Sequence, residues 1–370
     1  MKLFQHSKII FIALLMILLG GLSGVIATAF TSNALSDYAV QLNEQTRPIL
    51  STDRAPRSFP NSYADAMNHF VDSSLPSVVT IFDKSKVGVY GYTSDAVVIP
   101  GVAVTADGWI AVGYSPNLPA ERLAVGVKND VHDVTGEVTD PVTGIVFLKI
   151  QTSDLPVVGF GKAFDLTLGQ QIFEVTHEFG YVQSLVNASV RAQEWHQGDV
   201  VSSDVPSRRI PIFPITVEHG VPTFDLSGTF IGFAQSGDDI SHPDTSIVPV
   251  EDILPALSSL LEKKQIIRPS LGVQYIDISH AVGLPEKFLR GHDAGAYLTG
   301  KPAVKKGSAA ATAGLNEGDI ILAVNGQNID DAHGLDEYLL AYLPGDKMTL
   351  AIDRLGDKQT VQVVLGEYGK

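Results

Sequence analysis

Between Pro76 and about Pro249 the chain is a succession of short apolar runs separated by turn residues, and no stretch of helical period lies between them. Ser77-Val78-Val79-Thr80-Ile81-Phe82, Ala96-Val97-Val98-Ile99, Val102-Ala103-Val104, Leu123-Ala124-Val125-Gly126-Val127 and Ile145-Val146-Phe147-Leu148-Lys149-Ile150 are the clearest of these runs. Strands at this spacing, with no crossover helices, restrict the fold to an all-β barrel or sandwich. The 34 glycines and 20 prolines suit many tight turns, and 45% apolar residues can fill packed cores. Within this region an apolar approach, a Leu226-Ser227-Gly228 turn and the run Thr229-Phe230-Ile231-Gly232-Phe233 read as a β-hairpin.

The flanks have different periods. Val250–Lys264 reads as an amphipathic helix closing the β region, with Leu254, Leu257, Leu260 and Leu261 along one face. Residues 266–370 form a second unit, in which Gly-Asp and Asn-Gly turns bracket Ile320-Ile321-Leu322-Ala323-Val324. In that unit Asp331–Tyr342 is expected as a helix carrying Leu335, Leu339 and Tyr342, and Met348–Asp353 and Thr360–Leu365 as strands. At the other end, Ile9–Phe30 is a charge-free stretch of 22 residues behind Lys2 and Lys8. As a helix it would be about 33 Å long, enough to cross a bilayer with the positive flank in the cytoplasm. A cleaved signal peptide ending near Ala27-Thr28-Ala29 is the rival reading, and either one exports the rest of the chain. Residues 31–62 read as a polar, proline-bearing tether, followed by a short helix around Tyr63–Val71.

Charge and cysteine content exclude whole classes. A formal net charge of −15 argues against nucleic acid as a partner, because phosphate binding needs a basic surface. With no cysteine there is no disulfide, thiol nucleophile or cysteine-based metal site. The ten histidines are dispersed, and His132-Asp133, His177-Glu178 and Glu218-His219 are isolated pairs without metal-ligand spacing. No metal and no cofactor are expected.

Several motifs in order carry a resemblance. Ser77-Val78-Val79, Ala106-Asp107-Gly108-Trp109-Ile110, Thr139-Asp140-Pro141 before Leu148-Lys149-Ile150, Leu155-Pro156-Val157, Leu168-Gly169-Gln170 and Phe179-Gly180 resemble the trypsin-like protease domain of the HtrA/Deg family. Gly307-Ser308-Ala309-Ala310-Ala311-Thr312-Ala313-Gly314-Leu315, Gly318-Asp319-Ile320-Ile321 and Pro344-Gly345-Asp346-Lys347 resemble its PDZ domain. The resemblance implies a mainly β chain: a trypsin-like double β-barrel followed by a PDZ domain, behind one N-terminal transmembrane helix. The division expected is 1–32 for the flank and anchor, 33–65 for a linker, 66–265 for the protease-like domain and 266–370 for the PDZ domain.

A serine hydrolase needs a hydroxyl nucleophile, an imidazole base and a carboxylate that orients the imidazole. Carried over by position, the family's histidine falls on Ser115, its aspartate on Gly144 and its serine on His219. Asp140 matches a different, non-catalytic aspartate of the family. No histidine lies between Asp107 and Val131, and no serine between Arg208 and Leu226, so a small shift of register restores neither. The stretch Thr216-Val217-Glu218-His219-Gly220 also puts a β-branched residue where the family has an oxyanion-hole glycine, and a carboxylate beside it. All three triad positions are therefore expected to be degenerate. Ser115 and His219 occupy each other's places, so a swapped dyad is conceivable, although it lacks an orienting carboxylate.

The second unit retains binding chemistry by the same resemblance. A PDZ groove adds a peptide strand to a sheet edge and holds its terminal carboxylate on the backbone N–H groups of a short loop. That loop is Ser270-Leu271-Gly272-Val273, with Leu335 and Leu339 as the helical wall; the alternative is that these leucines are only core. The expectation is a membrane-tethered, periplasmic pseudoprotease that binds C-terminal or unfolded peptides as a scaffold or regulator in protein quality control. It is a single-pass protein of the cytoplasmic (inner) membrane, with assembly as a homo-trimer or with an active paralogue implied by resemblance. The alternatives are an active serine endopeptidase with a rearranged site and, more remotely, a metal-dependent binding protein.

Overall fold

The computed structural model describes residues 62–177, 183–192, 200–213, 219–236 and 245–370. The expected span Ile9–Phe30 and the tether lie outside these residues. Among the described residues no helix is long and apolar enough to cross a membrane.

The first barrel consists of β1 (Val78–Asp83), β2 (Val97–Ala103), β3 (Trp109–Val112), β4 (Leu123–Val127), β5 (Asp130–Thr139) and β6 (Val146–Ile150). They run in the order β1-β2-β3-β6-β5-β4, and β1 pairs with β4 to close the sheet. The apolar runs are continuous because both faces are covered. Val79, Ile81, Ile110, Val112, Val146 and Leu148 fill the barrel. Val78, Ala111, Ile145 and Phe147 point the other way, into a core shared with the second barrel. Successive strand residues thus enter different cores, as a period of two requires.

The second barrel consists of β7 (Gln171–His177), β8 (Gln183–Val190), β10 (Ile210–Phe213), β11 (Val221–Asp225), β12 (Phe230–Ser236) and β13 (Thr245–Pro249); the intervening β9 (Val201–Ser202) belongs elsewhere. It closes through β10 and β8. The β11–β12 hairpin turns at Gly228, whose φ of 80° only glycine adopts readily. Asp225 Oδ1 pins that turn by accepting from the Ser227 and Thr229 backbone N–H groups, both at 3.0 Å. The shared core is aromatic, with Phe70 lying 5.4 Å from Phe173 and 5.0 Å from Phe224 between ring centres. Phe70 arrives there at the end of the helix Tyr63–His69, which Ser62 caps by accepting the Asp65 N–H at 3.1 Å.

The helix Val250–Lys263 follows β13 directly and ends at Lys264 in the left-handed region. Its buried stripe is Val250, Ile253, Ala256, Leu257 and Leu260. Leu254 packs at the edge, but Leu261 is 37% exposed, so the four-leucine face read from the sequence is rotated. The reason is that Leu261 continues the row of Leu254, whereas Ile253, Leu257 and Leu260 centre the stripe.

The last unit has the strand order β20-β19-β17-β16-β15-β9. Here β15 is Gln274–Asp277, β16 Ala296–Leu298, β17 Ile320–Val324, β19 Lys347–Arg354 and β20 Asp357–Val364. The short β18 (Gln327–Asn328) folds back on β17 through Asn325-Gly326, both at positive φ, as an Asn-Gly turn prefers. A separate pair joins β14 (Pro269–Ser270) to β21 (Gly366–Glu367). The helix expected over Asp331–Tyr342 is confined to Leu335–Leu339. Asp330 captures the residues before it, accepting the Ala332 and His333 backbone N–H groups at 3.0 and 2.9 Å. That Asx turn competes with helix.

Arg268 joins the units. It is 4% exposed and donates from Nε and Nη2 to the two carboxylate oxygens of fully buried Asp140, at 3.0 and 2.5 Å. Nη2 also reaches the Asp252 carbonyl at 2.6 Å. One guanidinium thus links the β5–β6 turn, the helix Val250–Lys263 and the entry to the last unit. Burial raises the Asp140 carboxyl, but Arg268 and the Thr143 hydroxyl outweigh it and hold it below the usual carboxylate range. Four other acids nearby are pushed up, chiefly by burial: Asp252, Asp336, Glu337 and Glu251, the last to about 7.

Two outcomes follow. Removing one partner of a buried pair strands the other, so Arg268→Met should cost about 3 kcal/mol or more in urea unfolding, and adding Asp140→Asn should recover part of it. A single-variant loss under about 1 kcal/mol would show that the pair does not tie the units. Glu251 has a folded pKa of about 7 against an ordinary 4.5, so the native state keeps a proton that the unfolded chain gives up. The stability from this group is full below pH 4.5 and is lost as pH rises to about 7. Glu251→Gln should flatten that decline by roughly 3 kcal/mol, read as the difference from the parent protein in urea midpoints across the window.

Candidate functional site

The first candidate site lies where the barrels meet. Gly113-Tyr114-Ser115 follow β3 in the first barrel, and His219-Gly220 precede β11 in the second. The backbones touch: a Cβ on Gly113 would lie 2.3 Å from the Gly220 Cα, and one on Gly220 would lie 2.5 Å from the Tyr114 ring. Gln235 on β12 crosses the seam, its Nε2 donating to the Gly113 carbonyl at 2.8 Å. The two loops are therefore brought together by glycines that leave no room for side chains.

The hydrogen bonds at this seam are not those of a triad. The half-buried His219 ring accepts the Ser236 backbone N–H on Nδ1 at 3.1 Å. In the neutral ring that leaves the proton on Nε2. A triad base has the opposite tautomer, with Nδ1–H donating to a carboxylate and Nε2 free to take the hydroxyl proton. The ring packs at 5.0 Å against Tyr114, tilted by 59°. Ser115 Oγ accepts the Asn117 backbone N–H at 3.3 Å. Among the described residues no carboxylate hydrogen-bonds His219. Gly144 sits in the exposed β5–β6 turn at φ 75°, and a Cβ there would meet nothing within 4 Å. Asp140 lies four residues before Gly144, but both its oxygens are committed to Arg268. Thr216, Val217 and Glu218 lie outside the described residues. Among the described residues no three His, Asp or Glu side chains form a metal-ligating group.

The second candidate site is the edge of β15. Leu271, Val273, Leu335 and Leu339 are all buried in the core of the last unit, and Gly272 holds the left-handed turn at φ 79°. The backbone N–H groups of Leu271 and Gly272 converge on one acceptor, Asp204 Oδ1, at 2.9 and 3.0 Å. Ser270 Oγ donates to Asp204 Oδ2 at 2.5 Å. The edge of β15 is paired antiparallel with β9, Gln274 opposite Ser202 and Tyr275 opposite Val201. Across the groove, Asp336 on the wall helix accepts the Ser207 N–H at 2.6 Å and the Tyr275 hydroxyl at 2.8 Å. Residues 201–208 were not singled out from the sequence. The signal available was two β-branched residues before Ser202-Ser203-Asp204, a strand running into an acid.

Gly113→Ala tests whether the seam is as close as described: the added methyl must part the two loops and should lower stability by about 1–3 kcal/mol. Gly136→Ala is the control, since a Cβ there meets only the Lys149 Cβ at 3.6 Å. Equal urea midpoints for the two variants would contradict the contact.

The comparisons with known proteins agree on the layout. Residues 269–365 match the PDZ domain family model. A protein of Hahella chejuensis described as a probable periplasmic serine endoprotease DegP-like is 26% identical over 276 residues, covering 72% of this chain and 56% of that protein. Its namesake in Bartonella henselae is 28% identical over 277 residues, covering 72% of this chain and 52% of that protein. The chain thus spans about half the length of the curated relatives it matches. Among solved structures, the HtrA-type protease AlgW with a decapeptide aligns with a TM-score of 0.59 at 20% identity, covering 84% of this chain and 99% of that one. The same protease with a tripeptide aligns at 0.58 and 21% identity, covering 84% and 98%. Those structural likenesses are of fold.

Proposed function

We propose that this chain, built on the HtrA/DegP-like plan of two trypsin-like barrels and a PDZ domain, is a non-proteolytic, peptide-binding scaffold or regulator. The observation that carries the reading is the hydrogen bond from the Ser236 N–H to His219 Nδ1. It sets the wrong tautomer for a base, at the position where the HtrA resemblance places the nucleophile. Ser115, at the histidine position, has no imidazole bonded to its hydroxyl among the described residues. With no base, orienting carboxylate or nucleophile in place among the described residues, the chemistry of acyl transfer has no starting point there.

The binding half of the reading rests on the PDZ domain. The convergent N–H groups of the loop Ser270–Val273, bonded here to Asp204, suit a carboxylate, and the β15 edge, paired here with β9, is the ladder a peptide strand would use in its place. Related structures hold a decapeptide and a tripeptide, which supports peptides as the ligand class. The curated relatives are named as periplasmic, which supports placing this chain outside the cytoplasm, tethered by the charge-free stretch Ile9–Phe30.

The full-length chain treated with a fluorophosphonate probe should remain unlabelled, and casein in the same tube should remain intact, while an active trypsin-like control reacts. A C-terminal peptide library should yield binders that are not cut. Cleavage that disappears in Ser115→Ala or His219→Ala, measured in preparations free of host protease, would mean a working rearranged site and would sink the proposal.

A further inference from the structure

We propose that the PDZ groove carries its own ligand: Val201–Asp204 occupy it in cis, and a C-terminal peptide binds by displacing them. The proposal rests on the peptide-binding reading of this groove and adds the state in which the groove is kept.

Each part of a bound peptide has a counterpart in the chain itself. A peptide strand adds antiparallel to the sheet edge; β9 does so on β15. The residue nearest the carboxylate loop continues the ladder; the Ser203 N–H donates to the Val273 carbonyl at 3.0 Å. Its side chain enters the groove; Ser203 is 1% exposed and its Oγ accepts the Val273 N–H at 3.3 Å. A terminal carboxylate would sit on the loop amides. The Asp204 side chain supplies one there, held by Leu271 N–H, Gly272 N–H and Ser270 Oγ. A main chain that must continue to Val205 cannot offer its own terminus, and an aspartate is the side chain whose carboxylate reaches back with the fewest rotatable bonds. Ser203 Oγ also donates to Asp204 Oδ1 at 2.8 Å, fixing the carboxylate.

The segment is anchored on its far side as well. Ser207 N–H is bonded to Asp336, and Arg208 lies 3.4 Å from Glu337, both on the groove's wall helix. What space is left beside Ser203, Pro206, Leu339 and Leu340 is about 20 Å³, room for a water and not for a side chain. A peptide strand cannot enter while β9 is in place, because both would pair with the same edge of β15. Tethering gives the internal segment an effective concentration on the order of millimolar, against which any free peptide competes. The apparent affinity for a peptide is then its intrinsic affinity reduced by the fraction of molecules with an open groove.

Asp204→Asn keeps the shape and removes the charge that two backbone N–H groups share. The first measurement needs no peptide. In amide hydrogen exchange on the full-length chain, Leu271–Val273 should be protected in the parent protein and exchange about 10-fold faster or more in Asp204→Asn. Ser270→Ala, a milder variant, should show the same shift at smaller size. The second measurement uses a fluorescent peptide of the chain's own sequence 198–203, ending at Ser203 with a free carboxylate, and its amidated twin. The free-carboxylate peptide should bind Asp204→Asn about 10-fold tighter or more than the parent, and the amide should bind neither. Equal exchange at Leu271–Val273 in parent and variants overturns the cis ligand, whatever the peptide does. Faster exchange with equal peptide affinity overturns displacement as the route of binding. Faster exchange with no peptide bound to any variant leaves the internal ligand standing and removes the peptide-binding function proposed above.

Discussion

The buried pair of Asp140 and Arg268 is a contact that ties both barrels' elements to the last unit at one point. Each partner alone would be an uncompensated charge in a dry interior, which is far more costly than the pair is favourable. Here the geometry is bidentate, and both partners make further hydrogen bonds, while Arg268 Nη1 is buried without a partner among the described residues. Asp140 also accepts from the Thr143 hydroxyl at 2.5 Å, and Arg268 also donates to the Asp252 carbonyl at 2.6 Å. Because those neighbours belong to the first barrel and to the helix that closes the second, the pair fixes where Pro269 and β14 begin. The groove of the last unit is positioned from there.

The acids around that joint are distributed by the same logic. Glu251 Oε1 accepts the Phe164 N–H at 3.1 Å, and Oε2 is buried without a hydrogen-bond partner among the described residues. A carboxylate so placed is better accommodated protonated, in line with its raised pKa. Asp336 is buried too but accepts from Ser207 and Tyr275, so its environment is polar and organised. Arg208 stands between Glu337 and the Phe164 ring, 4.4 Å above the latter, and so bridges the groove helix to the second barrel. The wall of the groove therefore faces protein rather than solvent, and its acids hold a segment of the neighbouring barrel.

Much of the fold is legible in the sequence because several barrel strands, β1 among them, bury both faces. Runs such as Ile145-Val146-Phe147-Leu148 then read as unbroken apolar stretches with turn residues between the strands, a pattern with few other solutions. The hairpin around Gly228 and the Asn325-Gly326 turn are legible for a similar reason: each needs a positive φ that few residues supply. Leu261 was misplaced because four leucines at mixed spacings admit two stripes, and only tertiary contact with Ile253 and Ala256 chooses between them. The helix before Leu339 was overextended because the Asp330 turn is a local competitor that apolar spacing does not reveal. Asp204 was missed for a deeper reason. Nothing in Val200–Pro206 distinguishes a strand that stays in its own barrel from one that crosses to another sheet, since the partner edge lies some seventy residues downstream. The relation of Ser115 to His219 is legible only through resemblance; the hydrogen bond that sets the imidazole tautomer comes from a backbone amide, which no side-chain motif encodes.

The close approach of Gly113 and Gly220 explains how a seam of this kind can exist apart from catalysis. The contact is made by backbone, and Gln235 ties it with a side chain that takes no part in acyl transfer. Of the three positions singled out by resemblance, Ser115 bonds locally to Asn117 and Gly144 is solvent-exposed, whereas His219 is anchored by Ser236 and packs on Tyr114 across the seam. Exchanging Ser115 for another residue of similar size would leave the barrel interface and the Arg268 joint intact. Chemistry grafted onto a fold can change without the fold changing. A carboxylate site on backbone amides is different, because its N–H groups are part of the turn at Gly272 and remain whatever side chains surround them. Such a turn must have an acceptor whenever it is shielded from water, and in this chain Asp204 is the acceptor within reach.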